Sequence, residues 1–165
     1  MVHPTPYPTD WPERSGRTDC RITGTYQDAG DVRAISGLSP GQRHAHLSSL
    51  LREGDTGPFD DAANPKVDIW LDRDSQRMHL SPDVVAQAEQ LRPEKGVVCE
   101  SDGALTLQFE SVTARSYRHA AITMWNGADG SLIVRMGLGF TEKGLPGLLP
   151  DSYEVFWFRF QRMNS

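Results

Sequence analysis

Lysine is scarce in this chain: only Lys66, Lys95 and Lys143 occur among 17 Lys and Arg in 165 residues. No run of basic residues is present and the net charge is −5, which disfavours a nucleic-acid partner, because a phosphate backbone asks for a basic face. No stretch approaches the ~20 apolar residues that span a bilayer. The opening Met1-Val2-His3-Pro4-Thr5-Pro6-Tyr7-Pro8 lacks the apolar segment of a secretory signal. At face value this makes the protein cytoplasmic, and a chain whose export signal has been removed reads the same way. Missing too are a Gly-x-Ser-x-Gly elbow and a phosphate-binding loop. No catalytic residue, cofactor or metal is therefore assigned.

What is present suits one globular domain. Hydrophobic residues make up 38% and charged residues 24%, values of a folded chain and not of a disordered one. Residues 1–19, with Pro4, Pro6, Pro8 and Pro12, read as an extended proline-rich tether, on which Tyr7 and Trp11 are free to dock. Residues 20–165 read as a single mostly-β domain. A first strand is expected over Arg21–Gln27, ended by Asp28-Ala29-Gly30-Asp31, with loop over 32–41. A short helix is expected over His44–Arg52, where Leu47, Leu50 and Leu51 share helical spacing, and a second over Pro82–Leu91 with Ser81 as its N-cap. Between them Val67, Ile69 and Leu71 alternate with polar residues, as in a half-buried strand.

Beyond Gly96 the pattern is an antiparallel meander. Asp102-Gly103 marks a hairpin, Leu105, Leu107 and Phe109 alternate after it, and Tyr117–Trp125 and Leu132–Met136 flank Asn126-Gly127-Ala128-Asp129-Gly130. Residues 137–150 read as a long apolar loop, and Tyr153–Phe160 as a final aromatic strand. The sum is a mainly β fold: a curved antiparallel sheet, sandwich or small barrel of about eight strands with one or two short helices.

The two cysteines, Cys20 and Cys99, each fall beside or within an expected strand. From the residues alone a disulfide and two unrelated buried thiols stand about level. His44 and His46 read as solvated residues at a helix start, and His79 and His119 as structural residues on strands. Asp55, Asp60, Asp61, Asp68, Asp72 and Asp74 read as a solvated sheet edge, since the EF-hand's glycine and final glutamate are missing. The apolar residues Leu138, Phe140, Leu145, Leu148 and Leu149 form the candidate contact for a protein partner or a membrane surface, against a blander reading in which the loop caps the core.

The segments Cys20…Gly24-Thr25-Tyr26, Val98-Cys99…Asp102-Gly103-Ala104-Leu105, Asp129-Gly130-Ser131-Leu132-Ile133-Val134 and Phe156-Trp157-Phe158-Arg159-Phe160, preceded by Trp11-Pro12, resemble a group of uncharacterised envelope lipoproteins of Gram-negative bacteria. That resemblance implies export to the periplasmic side of the envelope, an oxidised Cys20–Cys99 pair and a lipidated cysteine just upstream of Val2. Here Met1 stands in that cysteine's place, so the anchor, and with it any peripheral membrane attachment, is missing from this chain. The group carries no activity to transfer. A weaker likeness, Gly24-Thr25-Tyr26 on the first strand and Arg159 on the last, points to lipocalins, whose closing arginine packs on an aromatic ring. The functional expectation is a non-catalytic envelope domain that binds an unidentified envelope protein or serves a structural role. The alternatives are a lipocalin-like carrier of a small apolar ligand and a hydrolase with an unrecognised site.

Overall fold

A computed structural model describes residues 6–16, 20, 22–33, 44–53, 66–72, 77–82, 89–90, 97–112, 116–142 and 152–163. Among them are eleven strands and one helix: β1 (Gly24–Gln27), β2 (Ala29–Arg33), β3 (His44–His46), α1 (Leu47–Glu53), β4 (Lys66–Asp72), β5 (Arg77–Pro82), β6 (Glu89–Gln90), β7 (Val98–Cys99), β8 (Leu105–Val112), β9 (Ser116–Asn126), β10 (Leu132–Glu142) and β11 (Ser152–Phe160). They form two open antiparallel sheets, one of four strands in the order β1-β4-β5-β6 and one of seven in the order β3-β2-β11-β10-β9-β8-β7. Neither sheet closes into a barrel among the described residues.

The core follows from alternation. On β11 the even residues Phe156, Phe158 and Phe160 are buried with Leu132, Val134 and Met136 of β10, Ile122 and Met124 of β9, and Leu105 and Leu107 of β8. Tyr26, Val67 and Ile69 of the smaller sheet and Leu47, Leu50 and Leu51 of α1 belong to the same cluster. Period-two strands thus supply two apolar faces, and the helix fills the space beside them.

The sheets meet at one bent strand. Tyr26 bridges to Arg162, while Asp31 pairs with Arg159. Residues 27–30 therefore stand opposite residues 160–161 alone, which is a bulge that bends the strand. Before the bend β1 pairs with β4; after it β2 pairs with β3. Gly30 is required at the bend, since a Cβ there would lie 2.6 Å from the Arg159 carbonyl oxygen and run into the Phe160 ring. Asp28, the residue pushed out by the bulge, is 1% exposed. Its buried carboxylate needs donors: Oδ1 accepts the Ser48 N–H at 2.8 Å and Oδ2 lies 3.0 Å from His46 Nδ1. Its carbonyl accepts the Leu47 N–H at 2.8 Å. Asp28 thereby serves the free N–H groups that open α1, a cap supplied from another strand.

Several expected elements are corrected by long-range pairing. Ala29–Arg33 is a strand and not a terminator, because β11 and β3 hold it on both sides. His44–His46 is a strand and not the first turn of the helix, since it continues the ladder of β2. Glu89–Gln90, expected in a second helix, pairs with Leu80 and His79 of β5; Asp83–Ala88 lie outside the described residues. Gly137–Glu142 extend β10 and do not open a loop, because β9 pairs with them through Glu142 and β11 through Phe140. In each case tertiary pairing overrides a local preference.

Cys20 and Cys99 are joined in a disulfide with their Cα atoms 6.0 Å apart. The bond ties the start of the domain to β7, the edge strand of the seven-stranded sheet. It closes a separation of 79 residues, which in the chain-entropy account stabilises the fold by about 4–5 kcal/mol. The double variant Cys20→Ser/Cys99→Ser is expected to lose about that much in chemical denaturation, and reductant is expected to shift the wild-type midpoint but not that of the variant.

Candidate functional site

β11 is apolar on both faces. Its odd residues Val155 and Trp157 point away from the main core and are buried in a second cluster with Ile133 and Trp11, against which Tyr7 and Trp125 pack. An antiparallel sheet ordinarily keeps one face wet; here the outer face of the larger sheet is covered around Ile133, Val155 and Trp157 by the chain's own Tyr7 and Trp11.

The geometry of this cover is specific. Tyr7 sits among three indoles, edge-on to Trp11 at 6.2 Å and to Trp157 at 5.1 Å between ring centroids, and tilted against Trp125 at 6.4 Å. Trp125 and Trp157 meet edge to face at 5.6 Å. These arrangements match the quadrupole preference of aromatic pairs. Guanidinium groups close the cluster from the sides: Arg14 lies 5.0 Å from the Trp125 ring, Arg33 5.6 Å from Trp11 and Arg135 6.0 Å from Trp157. Arg135 and Trp157 are direct cross-strand partners, so that cation–π contact is built into the register.

The backbone of the segment is held at the β9–β10 hairpin. The Ser15 N–H donates to the Asn126 carbonyl at 3.0 Å, and the Ala128 N–H donates to the Glu13 carbonyl at 2.7 Å. Gly127 allows the approach, because a Cβ there would lie 2.9 Å from Pro12 Cγ. Arg14 anchors the end of the segment on Asp102, 3.1 Å to a carboxylate oxygen and 2.8 Å to the carbonyl. Within the segment the Tyr7 hydroxyl donates to the Pro12 carbonyl at 2.5 Å. Asn126 joins this site to the core: its Nδ2 donates to the Tyr26 hydroxyl at 3.0 Å, and that hydroxyl donates to the Ile22 carbonyl at 2.6 Å. Among the described residues the Trp125 Nε1–H is buried and has no hydrogen-bond partner.

Tyr7 and Asp129 are among the groups at the site that are shifted in pKa. Burial pushes the Tyr7 hydroxyl above its ordinary value, against the opposing pull of Arg159. Burial would also raise Asp129, but hydrogen bonds from Ser131 and the Arg159 guanidinium outweigh it, so its carboxyl lies below the ordinary 3.8.

The sequence-derived candidates are dispersed. Leu138 packs against the main core and lies half-buried. Phe140 stands in β10 between Arg118 and Ser152 in register, and Leu145, Leu148 and Leu149 lie outside the described residues. His46, expected in solvent, is buried against Asp28, because the bulge turns that carboxylate inward. His44 pairs with Asp31 and His79 with Trp70 in register, and His119 lies half-buried opposite Glu110. Asp68 accepts the Thr25 hydroxyl at 2.5 Å, and Asp72 pairs with Arg77 in register; Asp55, Asp60, Asp61 and Asp74 lie outside the described residues. No group of three or more His, Cys, Asp or Glu is placed to hold a metal among the described residues. The arginine over the first-strand aromatic is Arg162, 5.8 Å from the Tyr26 ring, and not Arg159. Arg159 lies on the outer face and pairs with Asp129 at 2.5 Å.

The chain matches no protein-family model, no curated protein and no solved structure. The arrangement itself must carry the reading. It consists of a packed aromatic cluster flanked by guanidinium groups.

Two outcomes test the site. Trp11→Ala is expected to cost about 3–5 kcal/mol and to raise acrylamide quenching of the remaining indoles, with the far-UV circular dichroism kept. The Asp129 carboxylate, lowered in the fold, contributes stability that is present above its ordinary value and lost as pH falls through the folded one. Wild type should therefore lose stability below about pH 4 more steeply than Asp129→Asn, as read from urea midpoints across the acid range.

Proposed function

We propose that this chain is a non-catalytic interaction domain of the bacterial cell envelope, held in its natural setting by a lipid anchor upstream of Val2. The observation that carries the reading is the Cys20–Cys99 bond. Disulfides persist in oxidising compartments and are rare in a reducing cytosol. A proline-rich lead with Trp11-Pro12 ahead of Cys20 suits a domain that meets its anchor through its N-terminal end. The space between the sheets is occupied by Tyr26, Phe158, Phe160 and the leucines of α1, which favours a role at the surface over that of a carrier with an internal cavity. His46 and Asp28 are engaged in holding α1, which favours a structural role for that pair over a hydrolytic one.

The test is thiol trapping in the cells that make the protein. After acid quenching and treatment with a maleimide reagent, both cysteines are expected to resist modification until reductant is added, and the protein is expected in the envelope fraction. Two reactive thiols in the cytosolic fraction would contradict the reading.

A further inference from the structure

The two halves of the disulfide stand in unlike surroundings. Cys20 is 2% exposed and belongs to the main core cluster. Its backbone lies in the left-handed region, at a φ of 56°, which a residue with a Cβ seldom adopts unless its surroundings hold it there. The Ile22 N–H donates to its carbonyl at 3.0 Å. Cys99 lies in β7, the edge strand of the seven-stranded sheet, and is exposed together with its neighbours Val98 and Glu100. Thiol–disulfide exchange needs a thiolate to reach one sulfur while the other leaves. The two directions are not equivalent here, because Cys99 meets solvent and the core screens Cys20. The Cys20 sulfur also lies 3.4 Å from the Ala104 carbonyl oxygen and 4.0 Å from that of Glu100. Once the bond is broken, either oxygen can accept a hydrogen bond from the Cys20 thiol.

We propose that Cys99 is the exchange site of this bond, the sulfur through which a Cys-x-x-Cys dithiol–disulfide oxidoreductase of the envelope makes and breaks it, and that Cys20 is the resolving sulfur. The envelope setting rests on the compartment reading above; the preference between the two sulfurs does not. In the reducing direction the partner's thiolate attacks the Cys99 Sγ. A new sulfur–sulfur bond joins the two proteins, the Cys20–Cys99 bond breaks, and its electron pair leaves on the Cys20 Sγ, which takes a proton from solvent. The partner's second thiolate then attacks the partner's own sulfur in the mixed disulfide, and Cys99 leaves as the thiolate. Oxidation runs the other way. The Cys99 thiolate attacks the partner's disulfide, and the Cys20 thiolate then attacks the Cys99 Sγ and releases the partner as its dithiol. Cys20 is fixed in the core with its Cα 6.0 Å from that of Cys99, so it recloses the bond whenever a mixed disulfide is not resolved by the partner.

The experiment uses the oxidised wild-type chain and two probes. The first is reduced glutathione in large excess, followed by acid quenching at early times, maleimide capping and peptide mass spectrometry. In native buffer the glutathione adduct is expected on Cys99 at least about 10-fold more often than on Cys20. In denaturing guanidinium chloride, where the core no longer screens Cys20, the two adducts are expected within about 3-fold of each other. The second probe is reduced thioredoxin with its second active-site cysteine replaced by serine, which is expected to be captured on Cys99. As a further measurement, Cys20→Ala is expected to react with Ellman's reagent at least about 10-fold faster than Cys99→Ala under native conditions. Should either variant not unfold cooperatively, the wild-type adducts decide. Equal labelling of both sulfurs in native buffer, a Cys20 adduct in excess, a Cys99 preference that survives unchanged in guanidinium chloride, or no thioredoxin captured on Cys99 would overturn the proposal. Each of these leaves the bond and the compartment reading standing. Reactive thiols in the cytosolic fraction of cells would remove the envelope setting and leave the sulfur preference intact.

Discussion

A strand that is apolar on both of its faces has to be covered twice, and β11 is such a strand. Its phenylalanines point to one side and Val155 and Trp157 to the other. An exposed aromatic patch of that kind on a free sheet face would invite association. The fold supplies two covers. The smaller sheet and α1 lie against the phenylalanine face, and the N-terminal segment lies against the tryptophan face. The remaining features can be read as the means of bringing these covers into place. The bulge at Asp28 lets one strand serve both sheets, and the buried carboxylate it displaces fixes the start of α1. The disulfide and the Arg14–Asp102 pair both bring the N-terminal region to the β7–β8 hairpin, the edge where the second cover begins.

The two covers differ in kind. The inner one is a shared hydrophobic core, with Tyr26, Phe158 and Phe160 fully buried, and its loss would be loss of the fold. The outer one is a single segment, turned at Pro8–Trp11, that makes ring contacts, a few backbone hydrogen bonds and exposed ion pairs. A domain tethered through its N-terminal end would carry any pull from the tether into that segment first.

The meander was legible because its signals are local. Asp102-Gly103 gives its hairpin with Gly103 at a φ of 87°, Val67 and Ile69 face the core as their alternation requires, and Asn126–Gly130 turns β9 into β10. What the sequence hid depends on partners distant in the chain. His44–His46 carries helical-looking neighbours yet belongs to β2's ladder, and Gly137–Glu142 has the composition of a loop yet is held between two strands. The bend at Asp28 resembles a stop signal because Asp, Ala and Gly serve equally at a turn and at a bulge. Of the candidate site, Tyr7 and Trp11 stood out as residues able to dock, but their receptor did not. The available signal was in the strands themselves: Trp125 and Trp157 occupy the odd positions of β9 and β11, whose even positions already supply the core. An apolar residue on both parities of an antiparallel strand asks what covers the second face.

The most direct measurement is the set of nuclear Overhauser contacts from the Tyr7 ring in the oxidised chain of 165 residues. Cross-peaks from Tyr7 to the indole protons of both Trp125 and Trp157 are predicted, with slowed exchange of the Ser15 and Ala128 amides. A Tyr7 ring with random-coil shifts and no contact to either indole, in a chain whose core is folded, would contradict it.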